Sequence, residues 1–345
     1  MKALVLENIG HLVYKEAPTP KPSKGEVLLH IRASGICGSD IARVYQKGAY
    51  SMPMILGHEF AGEIVEIGAE IDTAYIGKKA TVFPLRACMA CEACLSGEYA
   101  VCKNYNYYGS RCDGGFAEYC AIDARNLVFL DDSVPFELGA LAEPATVALH
   151  ALRRGKIEVG DFVGIAGAGP IGLMLASWAN LCGAKHVTLW DIDSAKVDFA
   201  IKNGFDAIDS KKMDPIDYAF TSTNGRGYDL SIEGAGVAPT LAQCILSAKP
   251  MGRVVTMGNP ASDIALPQKT YWEILRRQLT VTGTWNSDFS SFRRNEWSLT
   301  VSALANGTLK IKPFITHRYS LSDGMLPFEM INSHTKFYNK VMYII

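Results

Sequence analysis

Two rhythms of hydrophobic and polar positions run along the chain. In the first third, short apolar or alternating runs are broken by glycine and proline. Residues 1–7 and 26–33 (EVLLHIRA) read as strands, with Pro18, Pro20 and Pro22 breaking the segment between them. Residues 61–67 and 77–83 continue the β pattern, and residues 109–119 read as a turn running into a strand. A short helix is expected to follow Gly38, and another to start within residues 131–141. From residue 162 the rhythm changes to strand alternating with helix. Strands are predicted at 162–166, 186–190, 228–232, 253–257 and 279–283. Helices are predicted after Gly169, from a Ser194 cap to Gly204, at 238–248 and at 271–277. That alternation implies a parallel, doubly wound sheet. Past Asn286 the pattern changes again, to a helix at 292–304, Gly307, a short strand, another helix and a last strand at 340–345. This tail is expected to return to the first domain, giving a catalytic part at 1–148, a cofactor domain at 149–284 and a catalytic return at 285–345.

The stretch FVGIAGAGPIGLMLASWANLCGAKHVTLWDID carries the most chemistry. A strand leads into Gly167, Gly169, Pro170, Ile171 and Gly172; a helix, a second strand and Asp191 follow. Strand, glycine turn, helix, strand and acid is the order of a dinucleotide site. Gly167 allows the tight turn, Gly169 the approach of a pyrophosphate, and Gly172 the close packing of helix on strand. An acid at Asp191 favours NAD, because it would repel the extra phosphate of NADP. The uncharged run from residue 162 to 184 is long enough to span a bilayer. Its glycines, its proline and its turn favour a buried strand plus a buried helix instead.

Composition narrows the class. The 345 residues suggest two domains, and 48% hydrophobic with 20% charged residues suits a globular protein with a sizeable core. Lys and Arg number 34 against 35 Asp and Glu, a balance that argues against nucleic-acid or membrane-surface binding. The N-terminal residues have no signal-peptide pattern, so a cytoplasmic setting is expected. Clustered thiols in a reducing compartment point to metal. Cys88, Cys91, Cys94 and Cys102 have the spacing of a closed structural zinc site. Cys37, with Gly57-His58-Glu59 beginning twenty residues on and each ligand candidate beside a glycine or a turn, forms a second candidate set. Glu143 is an acid in the apolar run LGALAEPATVALHAL, and either a solvated helix end, a metal or a buried network would account for it.

With these motifs together, the chain resembles the zinc-containing medium-chain dehydrogenases over essentially its whole length. Glu143, where simple alcohol dehydrogenases carry cysteine, places the likeness in the sorbitol dehydrogenase branch. The strings Tyr108-Gly109-Ser110-Arg111, 113–119 (DGGFAEY) and Thr282-Gly283-Thr284-Trp285 narrow it to enzymes of hexitol phosphates such as galactitol 1-phosphate. The resemblance implies a GroES-like β domain beside a Rossmann domain, bound NAD and two zinc ions per subunit. It implies a catalytic zinc on Cys37, His58 and Glu59, with Glu143 as a direct or water-mediated ligand, and Lys196 beside Asp191 at the cofactor ribose. It implies a small polyol or polyol-phosphate substrate and a homo-oligomer, a dimer or tetramer. The relay histidine of alcohol dehydrogenases is replaced by Ala42, which leaves Ser39 or a water near Glu143 to pass the proton. Arg43, with Lys47, is a candidate for a substrate phosphate; the other reading of Arg43 is a solvated helix face. Trp285 is a further substrate candidate. Free polyols, 2,3-butanediol and L-threonine are rival substrates. A non-catalytic dinucleotide-binding protein is the rival from another class, and the intact Cys37, His58, Glu59 and Glu143 set argues against it.

Overall fold

In the computed structural model, residues 1–289 and 295–345 are described. The chain divides into two compact units, Met1–Thr146 with Asp288–Ile345, and Val147–Ser287.

The first unit is built on the strand Glu26–Gly35. Its Leu29, Ile31 and Ala33 are fully buried. It pairs antiparallel with Glu59–Ile67 along its length, with Tyr119–Asp123 at its start and with Lys340–Ile344 at its end. The full sheet has seven strands and adds Lys79–Val82, Leu127–Phe129 and Ile315–Ser320. A smaller sheet orders His11–Glu16, Lys2–Asn8 and Met54–Ile55. The last strand thus joins the sheet that the N-terminal third begins.

The second unit is a six-stranded, wholly parallel sheet. Its order is Asp206–Asp209, His186–Asp191, Phe162–Ala166, Tyr228–Glu233, Ala248–Thr256, Thr280–Gly283. In chain order this is 3-2-1-4-5-6, the doubly wound arrangement whose ligand crevice opens where the winding reverses. The reversal lies beside Phe162–Ala166, at the strand that feeds the glycine turn. Phe162, Ala166, Trp190, Tyr228, Cys244 and Val254 share one core cluster. Among the described residues no helix is long and apolar enough to cross a membrane.

Several local expectations need correction. The helix after Asp191 runs from Ser194 to Lys202 and is capped by Asp193, whose carboxylate accepts from the Ala195 N–H. Ser194 sits in the first turn and donates to Asp209 instead. The helix expected within 131–141 covers only Phe136–Ala140. The strand Asp206–Asp209, with an acid at each end, and the short helix Pro215–Ser222, with Asp217 in its first turn, gave no clear pattern. The helix expected at 292–304 is described as Glu296–Ala305, and its first three predicted residues lie outside the described residues.

Candidate functional site

Register assembles the first cluster. Gly35 pairs with Glu59 between the two central strands, so Cys37 and His58 leave neighbouring strand ends together. Gly57 has φ +91°, a left-handed conformation that favours glycine, and a side chain there would strike the Phe116 ring. That turn delivers His58 and Glu59, which are 5% and 1% exposed. One ligand atom from each of Cys37, His58 and Glu59 lies within 4.8 Å of the others.

Partners that the sequence did not reveal hold this cluster. Asp40 is fully buried; its Oδ2 accepts from the Cys37 N–H at 3.0 Å and its Oδ1 accepts from Arg43 Nη1 at 3.1 Å. Asp40 Oδ1 also lies 3.4 Å from His58 Nδ1, which has no hydrogen-bond partner. Burial opposes charge on Asp40, but His58 and Arg43 outweigh it and hold its pKa below the usual carboxylate value. Burial works against a charged His58 as well, and Asp40 and Cys37 overcome it, raising the imidazole well above its usual value. On the other side Lys340 pairs with Glu59 and donates to the Ile36 carbonyl at 3.0 Å. Burial disfavours the Lys340 ammonium, yet Glu59 and Cys37 keep its pKa raised. Gly35 makes room for this pair, since a Cβ there would collide with the Glu59 carboxylate and crowd Lys340.

Glu143 stands outside the three-residue group. It is 7% exposed, and burial together with nearby Glu59 pushes its carboxyl up to about 7 against the opposing pull of His58. The Tyr107 ring meets His58 edge-on at 5.8 Å. Ser39 accepts from Arg43 Nη1 at 2.9 Å. Arg43 is therefore committed to Ser39 and Asp40 rather than lying on a solvated face, while Lys47 is exposed. Trp285 lies in the second unit and is 55% exposed.

The four other cysteines converge around the short helix Glu92–Leu95. Their Sγ–Sγ separations are 3.8 Å for Cys88–Cys94, 3.5 Å for Cys91–Cys94 and 3.8 Å for Cys91–Cys102. Thiolates about 2.3 Å from a tetrahedral zinc stand about 3.8 Å apart, so the spacing fits that ion. The Cys88 N–H points to Cys102 Sγ and the Cys91 N–H to Cys88 Sγ, both at 3.4 Å. Backbone donors pull the Cys91 thiol down to about 6, while burial pushes Cys94 up to about 12.

In the second unit Gly167 has φ +109° and turns the chain out of its strand. Gly169 caps the helix Pro170–Leu181 without a side-chain bond, and a Cβ on it would meet open space. A Cβ on Gly172 would collide with the Gly167 carbonyl, so helix and turn touch only because it is glycine. Ile171 lies in the first helical turn beside Pro170. Asp191 ends its strand, accepting from the Ala168 N–H at 2.9 Å and the Asp193 N–H at 2.9 Å. Lys196 is half-buried in the next helix.

A GroES-like β unit with two metal-fitting clusters and a doubly wound unit with a glycine turn define a zinc-type dehydrogenase. Residues 23–132 match the alcohol dehydrogenase GroES-like domain, and residues 170–306 match the zinc-binding dehydrogenase domain. The chain belongs to the zinc-containing medium-chain alcohol and polyol dehydrogenases, and it is an oxidoreductase. Within that family it is 36% identical to galactitol 1-phosphate 5-dehydrogenase of Escherichia coli K12 over 93% of each chain. It is 32% identical to L-threonine 3-dehydrogenase of Bacillus licheniformis over 92% of this chain and 91% of that one. The crystal structure of galactitol-1-phosphate dehydrogenase from Escherichia coli superposes with a TM-score of 0.93 at 35% identity, covering 100% of both chains.

Proposed function

We propose that the protein oxidises a secondary hydroxyl of a polyol phosphate, with galactitol 1-phosphate the favoured substrate, to a ketose phosphate, using NAD and zinc in the cytoplasm. The observation that carries the chemistry is the convergence of Cys37, His58 and Glu59 within 4.8 Å. One thiol, one imidazole and one carboxylate suit zinc, and three protein ligands leave a coordination position for substrate. These three residues would hold the catalytic ion, and Cys88, Cys91, Cys94 and Cys102 the structural one. All nine cysteines are free thiols, as a reducing compartment requires. Bound in these places, zinc supplies Lewis acidity and NAD supplies the hydride acceptor.

The chain's own residues do the rest. Asp40, 3.4 Å from His58 Nδ1, would help place the imidazole, and Lys340 would fix Glu59. The Glu143 carboxyl, at about 7, is suited to hold a proton near neutral pH. Ser39 Oγ accepts from Arg43, and its own proton remains free to meet a substrate oxygen. Gly167, Gly169, Pro170, Ile171 and Gly172 present the helix N-terminus to a pyrophosphate. Asp191 keeps unused lone pairs for ribose hydroxyls, with Lys196 beside it.

The test is NADH formation with galactitol 1-phosphate, galactitol, 2,3-butanediol and L-threonine, repeated with NADP and after chelation. Preference for the phosphate ester with NAD, lost on chelation, is the expected result. Preference for L-threonine or a free diol would discard the phosphate substrate and keep the family chemistry.

A further inference from the structure

Arg43 has its charge balanced by Asp40, Arg125 by Asp123 and Arg86 by Glu26. Arg111 differs. Its guanidinium carbon lies 4.0 Å from the Tyr50 ring centre and 4.4 Å from that of Tyr105. Its Nε is buried and has no hydrogen-bond partner. Among the described residues no carboxylate pairs with it. A cation partly removed from water with neither counter-ion nor acceptor costs free energy, which the two ring contacts offset only in part. Two aromatic rings fix the plane of the guanidinium and leave its edge to offer paired N–H donors. That is the form in which arginine recognises a phosphate.

The position of Arg111 ties it to the candidate metal cluster. The N–H groups of Ser110, Arg111 and Cys112 all point to the Tyr107 carbonyl, at 3.2, 2.9 and 3.2 Å. The turn thus winds around Tyr107, whose ring meets His58. The Tyr105 ring lies 6.2 Å from Tyr107 and carries Arg111 on its other contact. Tyr50, 70% exposed, is held to the same turn by its N–H on the Ser110 carbonyl at 3.3 Å. An open-chain sugar alcohol oxidised near its far end carries its phosphate several bonds from the reacting carbon. An anion site set back from His58 by this aromatic path suits that shape.

We propose that Arg111, braced by Tyr50 and Tyr105, holds the phosphate of the substrate and sets the preference for a phosphorylated polyol. This rests on the polyol-phosphate reading above. The experiment measures kcat/KM for galactitol 1-phosphate and for galactitol with the wild type, Arg111→Met and Arg111→Lys, and inhibition by inorganic phosphate in each. The phosphate-over-free ratio should fall roughly 10- to 100-fold in Arg111→Met, the worth of one charged hydrogen-bonded contact, chiefly through KM. Arg111→Lys keeps the charge but loses the fork, and should fall at least about threefold by the same measure. Inorganic phosphate should compete in the wild type and weaken as an inhibitor in both variants. If Arg111→Met does not fold, the lysine variant decides. Equal losses on both substrates, or an unchanged ratio in Arg111→Lys, would overturn the role of Arg111. A wild type with no preference for the ester would instead overturn the substrate reading itself.

Discussion

Lys340→Met isolates the buried pair beneath the candidate metal cluster. The side chains of Lys340 and Glu59 are 4% and 2% exposed, so water cannot replace the lost partner. The substitution leaves Glu59 without its ammonium and the Ile36 carbonyl without its donor. Orphaning one member of a buried ion pair costs about 3–5 kcal/mol, and an unpaired carbonyl alone about 1–3 kcal/mol. The two penalties share one site and do not add, so about 3–5 kcal/mol is expected. Urea unfolding of the chelated protein reads it, with the fully buried Trp297 as a fluorescent reporter within the same unit. Removing both charges in Lys340→Met with Glu59→Leu should recover most of the loss, because an apolar pair replaces a buried ion pair at little cost. Zinc should also narrow the gap, because a bound cation supplies the missing positive charge beside Glu59. A loss below about 1 kcal/mol, or the same loss with Glu59 already replaced, would refute the reasoning.

Other predictions follow from the same contacts. Gly35→Ala should lower zinc occupancy at the first cluster while leaving the four-thiol site filled, because its Cβ collides with Glu59; zinc titration against a colorimetric chelator separates the two. Cys91→Ser should remove one zinc equivalent and lower the melting temperature, with Cys37, His58 and Glu59 untouched; unchanged zinc content would contradict a metal role for the thiol lobe. Asp191→Ala should cut kcat/KM with NAD and raise it with NADP, and an unchanged ratio of the two would remove Asp191 from cofactor choice. Burial, then Arg32, depresses the pKa of His30 in the folded chain. The unfolded chain therefore binds more protons below the ordinary histidine value of 6.5, and stability falls as pH drops through that window. His30→Leu should flatten that fall in denaturant midpoints; an equal slope would assign it to other groups.

What could be read from the chain alone depended on whether the signal was local. The glycine turn and the cysteine lobe are written in short spacings, and the structure brings each together as a unit. The parallel unit was legible where a strand was apolar on both faces, as in Phe162–Ala166, or alternated strictly, as in Tyr228–Glu233. It was illegible in Asp206–Asp209, an edge strand that ends in acids. Ser194 and Asp193 are both good caps, and only the tertiary bond from Ser194 to Asp209 decides between them. Lys340 meets Glu59 because Lys340–Ile344 and Glu59–Ile67 both pair with Glu26–Gly35, a contact with no trace in local pattern. Asp40 lies three residues after Cys37, but its burial and its contacts with Cys37, Arg43 and His58 appear only in the fold. Arg111 belonged to a string that marked the resemblance, and its two tyrosine contacts appear only in the fold.

The most direct test is zinc content and NADH formation of the wild type beside Cys37→Ala. The account predicts two zinc ions per chain in the wild type, one in the variant, and no dehydrogenase activity in the variant although it retains its fold and its NAD binding. A Cys37→Ala protein that keeps both ions, or that still reduces NAD with the wild type's best substrate, would contradict it.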